Sequence, residues 1–353
     1  MIGEHTDYND GWVLPFAIDR STVVAALPRP GREVQVTTAW GSQTASFSLD
    51  DEPTARNGEW LSYVHGIARC IDRSGSALRG AELRIDSDVP VGAGLSSSAA
   101  LELAVGRALL GLAGRELAPE QLATLAQEAE HRYAGTRCGI MDQLASACGV
   151  AGNALLIDCG TLAIEAVPIP ESAVFLVCET GIKHELADSA YNTRRDECEA
   201  ALGKLRALQP ELRSLSDADA ALLARARLPE PLRKRAQHVV SENARVLAAV
   251  AALRAGELPE VGRLMQASHA SLRDDYEVSC DELDVLAEAG AHSPHVLGAR
   301  MTGGGFGGSA IALVERANVG AAEHDLVRAF AARFGREPRV FAVTASRGAH
   351  EIE

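Results

Sequence analysis

Val89-Pro90-Val91-Gly92-Ala93-Gly94-Leu95-Ser96-Ser97-Ser98-Ala99 joins a stretch of strand character to one of helix character. Upstream, Ala81 to Ile85 reads as a strand; downstream, Ala99 to Leu112 has helical spacing. The glycines let the backbone approach an anion and adopt positive φ. Free N–H groups at the helix start, with the helix dipole, favour phosphate. Three serines add hydroxyls, and one can offer its oxygen to Mg2+. The Gly-Lys-Ser/Thr ending of a Walker A loop is absent. The plain alternative is a flexible turn with a serine N-cap.

Working outward, Val13 to Ile18, Thr22 to Ala26 and Glu33 to Thr37 read as strands, with a turn over Pro28 to Gly31. Asn57 to Asp72 carries Trp60, Val64, Ile67 and Ile71 at helical spacing, and Pro119 to Tyr133 predicts a further helix. Leu155 to Ile157 and Val174 to Val177 are buried-strand candidates. From Glu185 to Ala255 the chain is mostly helical, and Leu258 to Leu272 and Asp281 to Ala289 continue the helices. Ala310 to Val314 and Arg339 to Val343 close the chain as strands. Strands and helices mix without a regular βαβ repeat, which predicts an α+β fold with two lobes, divided near residue 170 into 1–170 and 171–353. A length of 353 residues fits about two domains.

The balance of 34 Lys+Arg against 48 Asp+Glu gives a formal charge of -14. Such a chain lacks the positive field that nucleic acid or an anionic membrane requires, so neither is an expected partner. An anionic substrate then needs a local cluster of donors. Seven scattered cysteines with no C-x-x-C pair favour neither a disulfide framework nor a zinc site, and free thiols fit a reducing cytosol.

Three further segments concentrate chemistry. Gly3-Glu4-His5-Thr6-Asp7-Tyr8-Asn9 packs carboxylates, an imidazole and hydroxyls into a few residues, a set suited to sugar hydroxyls or to a plain polar turn. Gly139-Ile140-Met141-Asp142-Gln143 sets one acid among apolar neighbours, either a helix cap or a desolvated general base. Glu130, twelve residues upstream, is a candidate metal carboxylate or a solvated helix residue. Gly303 to Gly308 formally contains G-x-G-x-x-G, yet a strand follows it instead of a helix. The dinucleotide reading is therefore rejected in favour of a hairpin or a close backbone contact, such as support for the phosphate loop.

Taken in order, these segments resemble the galactokinase branch of the GHMP kinase superfamily over essentially the whole chain. Gly3 to Asn9 matches the family signature GEHTDYN, Pro90 to Ala100 the phosphate loop, and Thr302 to Gly308 the third, glycine-rich motif. Ser189 to Arg195 and Leu272 to Cys280 also look like family segments. The resemblance implies a GHMP kinase fold, with an N-terminal ribosomal-protein-S5-domain-2-like lobe and a C-terminal ferredoxin-like α/β lobe. It implies transfer of phosphate from ATP to the C1 hydroxyl of α-D-galactose. Glu4, His5, Thr6, Asp7, Gly139 and Tyr191 would bind the sugar. Gly92, Ala93, Gly94, Leu95, Ser96, Ser97 and Ser98 would hold ATP, Ser98 and Glu130 would hold Mg2+, and Asp142 would act as base or orienting partner. The expected chain is a cytoplasmic monomer acting on a small sugar and ATP.

The family's signature follows a strand reading roughly A-P-G-R-V-N-L-I, whereas here Met1-Ile2 stands directly before Gly3. The arginine of that strand is expected near the catalytic Asp and the transferring phosphate, and the first arginine here is Arg20. The expectation is a chain that starts late, less stable and slower than an extended form. A short variant with impaired chemistry is the competing reading. Kinases of N-acetylgalactosamine, arabinose or mevalonate, or a non-catalytic galactose and ATP sensor, are the functional alternatives, with GEHTDYN arguing against mevalonate.

Overall fold

The computed structural model describes residues 1–53, 59–183 and 187–352; the side chains of 183 and 187–189 are outside that description. The expected helix start at 57 and the onset of the helical half at 185 therefore lie outside the described residues. Two compact units interleave along the chain. The first combines Met1–Phe16, Gly92–Leu95 and Gly152–Ala345; the second combines Ala17–Val91, Ser96–Ala151 and the stretch from Ser346 on.

In the first unit a small antiparallel sheet runs β1 (Trp12–Val13), β6 (Asn153–Asp158), β7 (Ala163–Pro168). The strand expected over Val13 to Ile18 is corrected to two residues plus an isolated bridge between Ile2 and Leu14. Pro15 is the reason, since it has no N–H to extend the ladder; only its carbonyl still pairs, accepting from Leu155 N at 2.8 Å. The larger sheet is wholly antiparallel, in the order β11 (Arg339–Val343), β8 (Ala173–Lys183), β10 (Gly307–Glu315), β9 (Gly298–Thr302). Its central strands bury Leu176, Cys178, Ala312 and Val314 against Leu205, Leu286, Leu326 and Phe330. The last four come from helices α5 (Ala187–Arg206), α9 (Asp281–His292) and α10 (Val319–Phe334). Helices α6 (Ala220–Ala226), α7 (Leu232–Ala255) and α8 (Leu258–Ser271) complete the unit.

The second unit holds a four-stranded sheet, β2 (Thr22–Pro28), β5 (Ala81–Ser87), β3 (Glu33–Thr38), β4 (Thr44–Ser48), with β3 and β5 parallel. In β5, Ala81, Leu83 and Ile85 are buried while Glu82, Arg84 and Asp86 are exposed, the alternation of a sheet with one wet face. Helices α1 (Trp60–Ile71), α2 (Ser97–Leu112), α3 (Pro119–Ala129) and α4 (Met141–Cys148) supply the apolar cover, with Val64, Ile67, Leu103, Val105 and Leu122 all buried. Among the described residues no helix is long and apolar enough to cross a membrane. All seven cysteines are free.

Candidate functional site

The signature Gly3 to Asn9 folds as a tight turn ending in a short 3-10 segment, Asp7–Asn9, within the first unit. Helix α7 pins it. The Gly3 amide donates to Glu242 Oε1 at 3.1 Å, and His238 Nε2 meets the Glu4 carbonyl at 3.1 Å. Trp12 N donates to Asn243 Oδ1 at 2.8 Å. Positions 238 and 242 lie one turn apart on one face and 243 lies beside them, so a single helix fixes the start of the signature and the backbone just beyond it. The Thr6 hydroxyl lies 2.7 and 2.8 Å from the Gly3 and Trp12 carbonyls and donates its one proton to either, which commits that side chain to shaping the turn. His5 holds a left-handed φ of 66°. For a non-glycine residue that costs about 1 kcal/mol or more and persists only where the surroundings enforce it.

Glu4, His5 and Asp7 are all buried. Glu4 forms an ion pair with Arg300 of β9 and accepts from Thr302 Oγ1 at 3.3 Å; Arg300 also donates to the Met1 carbonyl at 2.9 Å. His5 Nδ1 bonds the Tyr8 hydroxyl at 2.9 Å, which bonds the Tyr276 hydroxyl at 2.7 Å. The Tyr276 hydroxyl in turn lies 3.0 Å from Cys198 Sγ. Burial, then the charge of His238, lowers the His5 pKa well below its usual value; burial raises both tyrosines well above theirs. All three groups are therefore neutral near pH 7. Tyr191 stacks on this cluster, its ring 5.3 Å from that of His5. Arg194 ties the same helix to the Tyr276 and Glu277 carbonyls, at 2.7 and 2.9 Å. The two outlying family-like segments thus meet beneath the signature.

The glycine-rich motif is both things expected of it. It makes the turn of the β9–β10 hairpin, and it receives the phosphate loop backbone-to-backbone. A Cβ on Gly303 (φ +77°) would sit 2.8 Å from the Gly94 oxygen, and one on Gly94 (φ +71°) would sit 3.0 Å from the Thr302 oxygen. Residues 92–95 count with the first unit and 96–98 with the second. Ser96 precedes α2 in a left-handed conformation, and no side chain caps the helix. The serine N-cap bond is therefore not made, and the N-terminal amides keep their donor role for an anion.

In the second unit Ser98 Oγ donates to Glu130 Oε1 at 2.8 Å, and Gln143 Nε2 donates to the same oxygen at 3.1 Å. Glu130 opens a π turn, Glu130–Ala134, that interrupts the helical path of α3. Burial, which the Ser98 bond only partly offsets, pushes its carboxyl up to about 7, with Asp142 adding a repulsive charge. Asp142 lies half-buried in the first turn of α4, and Gly139 is buried just before it. Glu102, one turn along α2 from Ser98, is fully buried with neither oxygen hydrogen-bonded. A buried carboxylate beside a hydroxyl is an oxygen-only donor set that suits Mg2+, a cation bound by one or two carboxylates plus substrate phosphates. Among the described residues no cage of three or more His, Cys, Asp or Glu exists, so a metal here would take most ligands from the nucleotide and water.

Arg300, His238, Glu242 and Gln143 escaped the reading of the sequence. Gln143 sits inside a segment already singled out, so its neighbour Asp142 was the available signal. The other three are long-range partners with no local mark.

Two relatives decide the family. The galactokinase of Roseiflexus sp. strain RS-1 is 48% identical over 354 residues, covering 100% of this chain and 90% of that protein. The Chloroflexus aurantiacus galactokinase is 48% identical over 99% of this chain and 90% of its own length. The chain belongs to the galactokinase family. Family models agree: the galactokinase galactose-binding signature matches residues 1–28, the GHMP kinases N terminal domain 62–150 and the GHMP kinases C terminal domain 249–332. The solved Lactococcus lactis galactokinase complexed with galactose superposes with a TM-score of 0.95 at 36% identity, over 99% of this chain and 92% of that one. A mevalonate kinase structure at 17% identity and a TM-score of 0.67 shows the shared GHMP kinase fold alone. This galactokinase-family chain is thus a kinase of GHMP kinase fold whose family uses ATP as substrate.

Proposed function

We propose that the chain phosphorylates the C1 hydroxyl of α-D-galactose with ATP, giving galactose 1-phosphate and ADP. The observation that carries this reading is the signature turn, which α7 and Arg300 hold at Gly3 and Glu4 and which buries Glu4, His5 and Asp7. A buried polar cluster this costly is retained where a polar ligand completes it. Glu4 and Asp7 accept from sugar hydroxyls, and His5, Gly139 and Tyr191 are the further residues we assign to sugar binding; Thr6 contributes by shaping the turn. Gly92 to Ser98 hold the ATP phosphates through backbone amides and serine hydroxyls. Asp142 takes the C1 proton or orients the hydroxyl for attack.

Ser98 and Glu130 are the residues that would hold Mg2+, which when bound neutralises charge on the phosphates. Glu130 fits the task, because a carboxyl raised to about 7 by burial gains from a counter-cation. The rest of catalysis is positioning, as phosphoryl transfer asks of a protein. The family's two lobes we place at 1–170 and 171–353, and we propose a cytoplasmic monomer. The test is ADP release by the purified chain with a panel of sugars. Galactose should give the highest kcat/KM, and Asp142→Asn should lose about a hundredfold or more in kcat. A preference for N-acetylgalactosamine or arabinose, or full turnover by Asp142→Asn, would overturn the assignment.

A further inference from the structure

The cluster beneath the signature contains a chain of four polar groups, Cys198, Tyr276, Tyr8 and His5, linked at 3.0, 2.7 and 2.9 Å. Each hydroxyl carries one proton, so the chain runs in one of two senses. In one, Cys198 donates to Tyr276, Tyr276 to Tyr8, and Tyr8 to His5 Nδ1, leaving the proton of His5 on Nε2. In the other every donor is reversed, and Nε2 carries a lone pair. The first sense pairs a phenol donor with an imidazole acceptor, the stronger match, and does not end on a sulfur acceptor. His5 Nε2 is buried and makes no hydrogen bond of good geometry, although the Gly304 backbone bears on the ring.

We infer that Tyr8 and Tyr276 are positioning residues that lock His5 in its Nε2–H tautomer, so that this buried nitrogen donates to an oxygen of the sugar. The assignment completes the ligand set: Glu4 and Asp7 only accept, so a hydroxyl oxygen offering its lone pair needs a donor, and His5 supplies it. The inference rests on the sugar-binding reading of this turn, but the tautomer itself does not.

Long-range 1H–15N correlation of the histidine rings, with His5 assigned by its loss in His5→Gln, reads the tautomer in the protein without ligand. We expect Nε2–H in the wild type and a mixture in Tyr8→Phe. Galactose KM should rise about tenfold in Tyr8→Phe, the cost of one misdirected hydrogen bond, and less in Tyr276→Phe, with ATP KM unchanged. In a His5→Gln background, where the side chain has no tautomer, Tyr8→Phe should change galactose KM by less than about twofold. The same rise in both backgrounds would show that Tyr8 acts by packing and would overturn the inference, as would Nδ1–H in the wild type or an unchanged tautomer in Tyr8→Phe. Nε2–H in a wild type that does not turn over galactose would uphold the relay while sinking the proposed function.

Discussion

Arg300 is fully buried, and its Nε and Nη2 find no hydrogen bond although Nη1 reaches the Met1 carbonyl and pairs with Glu4. A buried ion pair contributes little beyond its own desolvation, but removing one partner strands the other. Arg300→Ala should therefore destabilise the protein by about 3–5 kcal/mol in urea unfolding. Arg300→Met with Glu4→Gln should recover much of that loss, because no charge is left unpaired. His5 and His238 offer a second residue-scale test. Burial comes first among the causes that hold both below the usual histidine range. Above pH ~6.5 folded and unfolded forms are both neutral, and the stability is complete. As pH falls below that value the unfolded chain takes up protons that the folded one refuses, so stability drops by up to about 1.4 kcal/mol per pH unit for each histidine. Between pH 7.5 and 5.5 Glu130, its carboxyl raised to about 7 by burial, takes up a proton in the folded chain and opposes this slope. The test is therefore the difference between proteins: unfolding free energies of His238→Gln should fall less with acid than those of the wild type by about one proton, an unchanged slope meaning that His238 is charged in the fold.

At the scale of elements, the hairpin between β9 and β10 carries the phosphate loop on its glycines. Gly303→Ala puts a methyl group 2.8 Å from the Gly94 oxygen at a φ of +77°, so backbone has to move. A loss of about 2 kcal/mol and a KM for ATP raised more than that for galactose are expected, read by thermal unfolding and steady-state kinetics. This contact was legible in the sequence because a strand, not a helix, follows Gly308. So were β5 and α2, where apolar residues alternate or recur cleanly. Less was visible where burial is one-sided or slight: β4 buries only Phe47 and Leu155's neighbour strand β7 only Val167. In β9 Arg300 sits mid-strand and breaks the apolar run. The π turns after α3 and α8 carry the spacing of unbroken helix through Tyr133 and Leu272, because one added residue per turn hardly disturbs a 3.6-residue pattern. Yet those turns hold Glu130 and Tyr276. The polar residues of α7 carry no local mark of which face is inside; His238 and Glu242 are buried, and only their distant partners in the signature explain why.

At the scale of the whole molecule, a formal charge of -14 opposes the approach of an anionic nucleotide, while galactose is neutral. None of residues Gly92 to Ser98 is a lysine or arginine, so the phosphate grip relies on amide and hydroxyl dipoles. Dipoles act at contact distance, inside the reach of screening, whereas the repulsion of the overall charge acts over a Debye length of about 30 Å at 0.01 M salt and about 8 Å at 0.15 M. Raising ionic strength should therefore weaken the repulsion and leave the grip intact. The KM for MgATP is expected to fall about twofold to threefold between those salt concentrations, with the galactose KM flat. Steady-state kinetics in a salt series with magnesium held in constant excess measures both. A KM for ATP that rises with salt would instead require a cation within contact of the phosphates, which Gly92 to Ser98 do not supply.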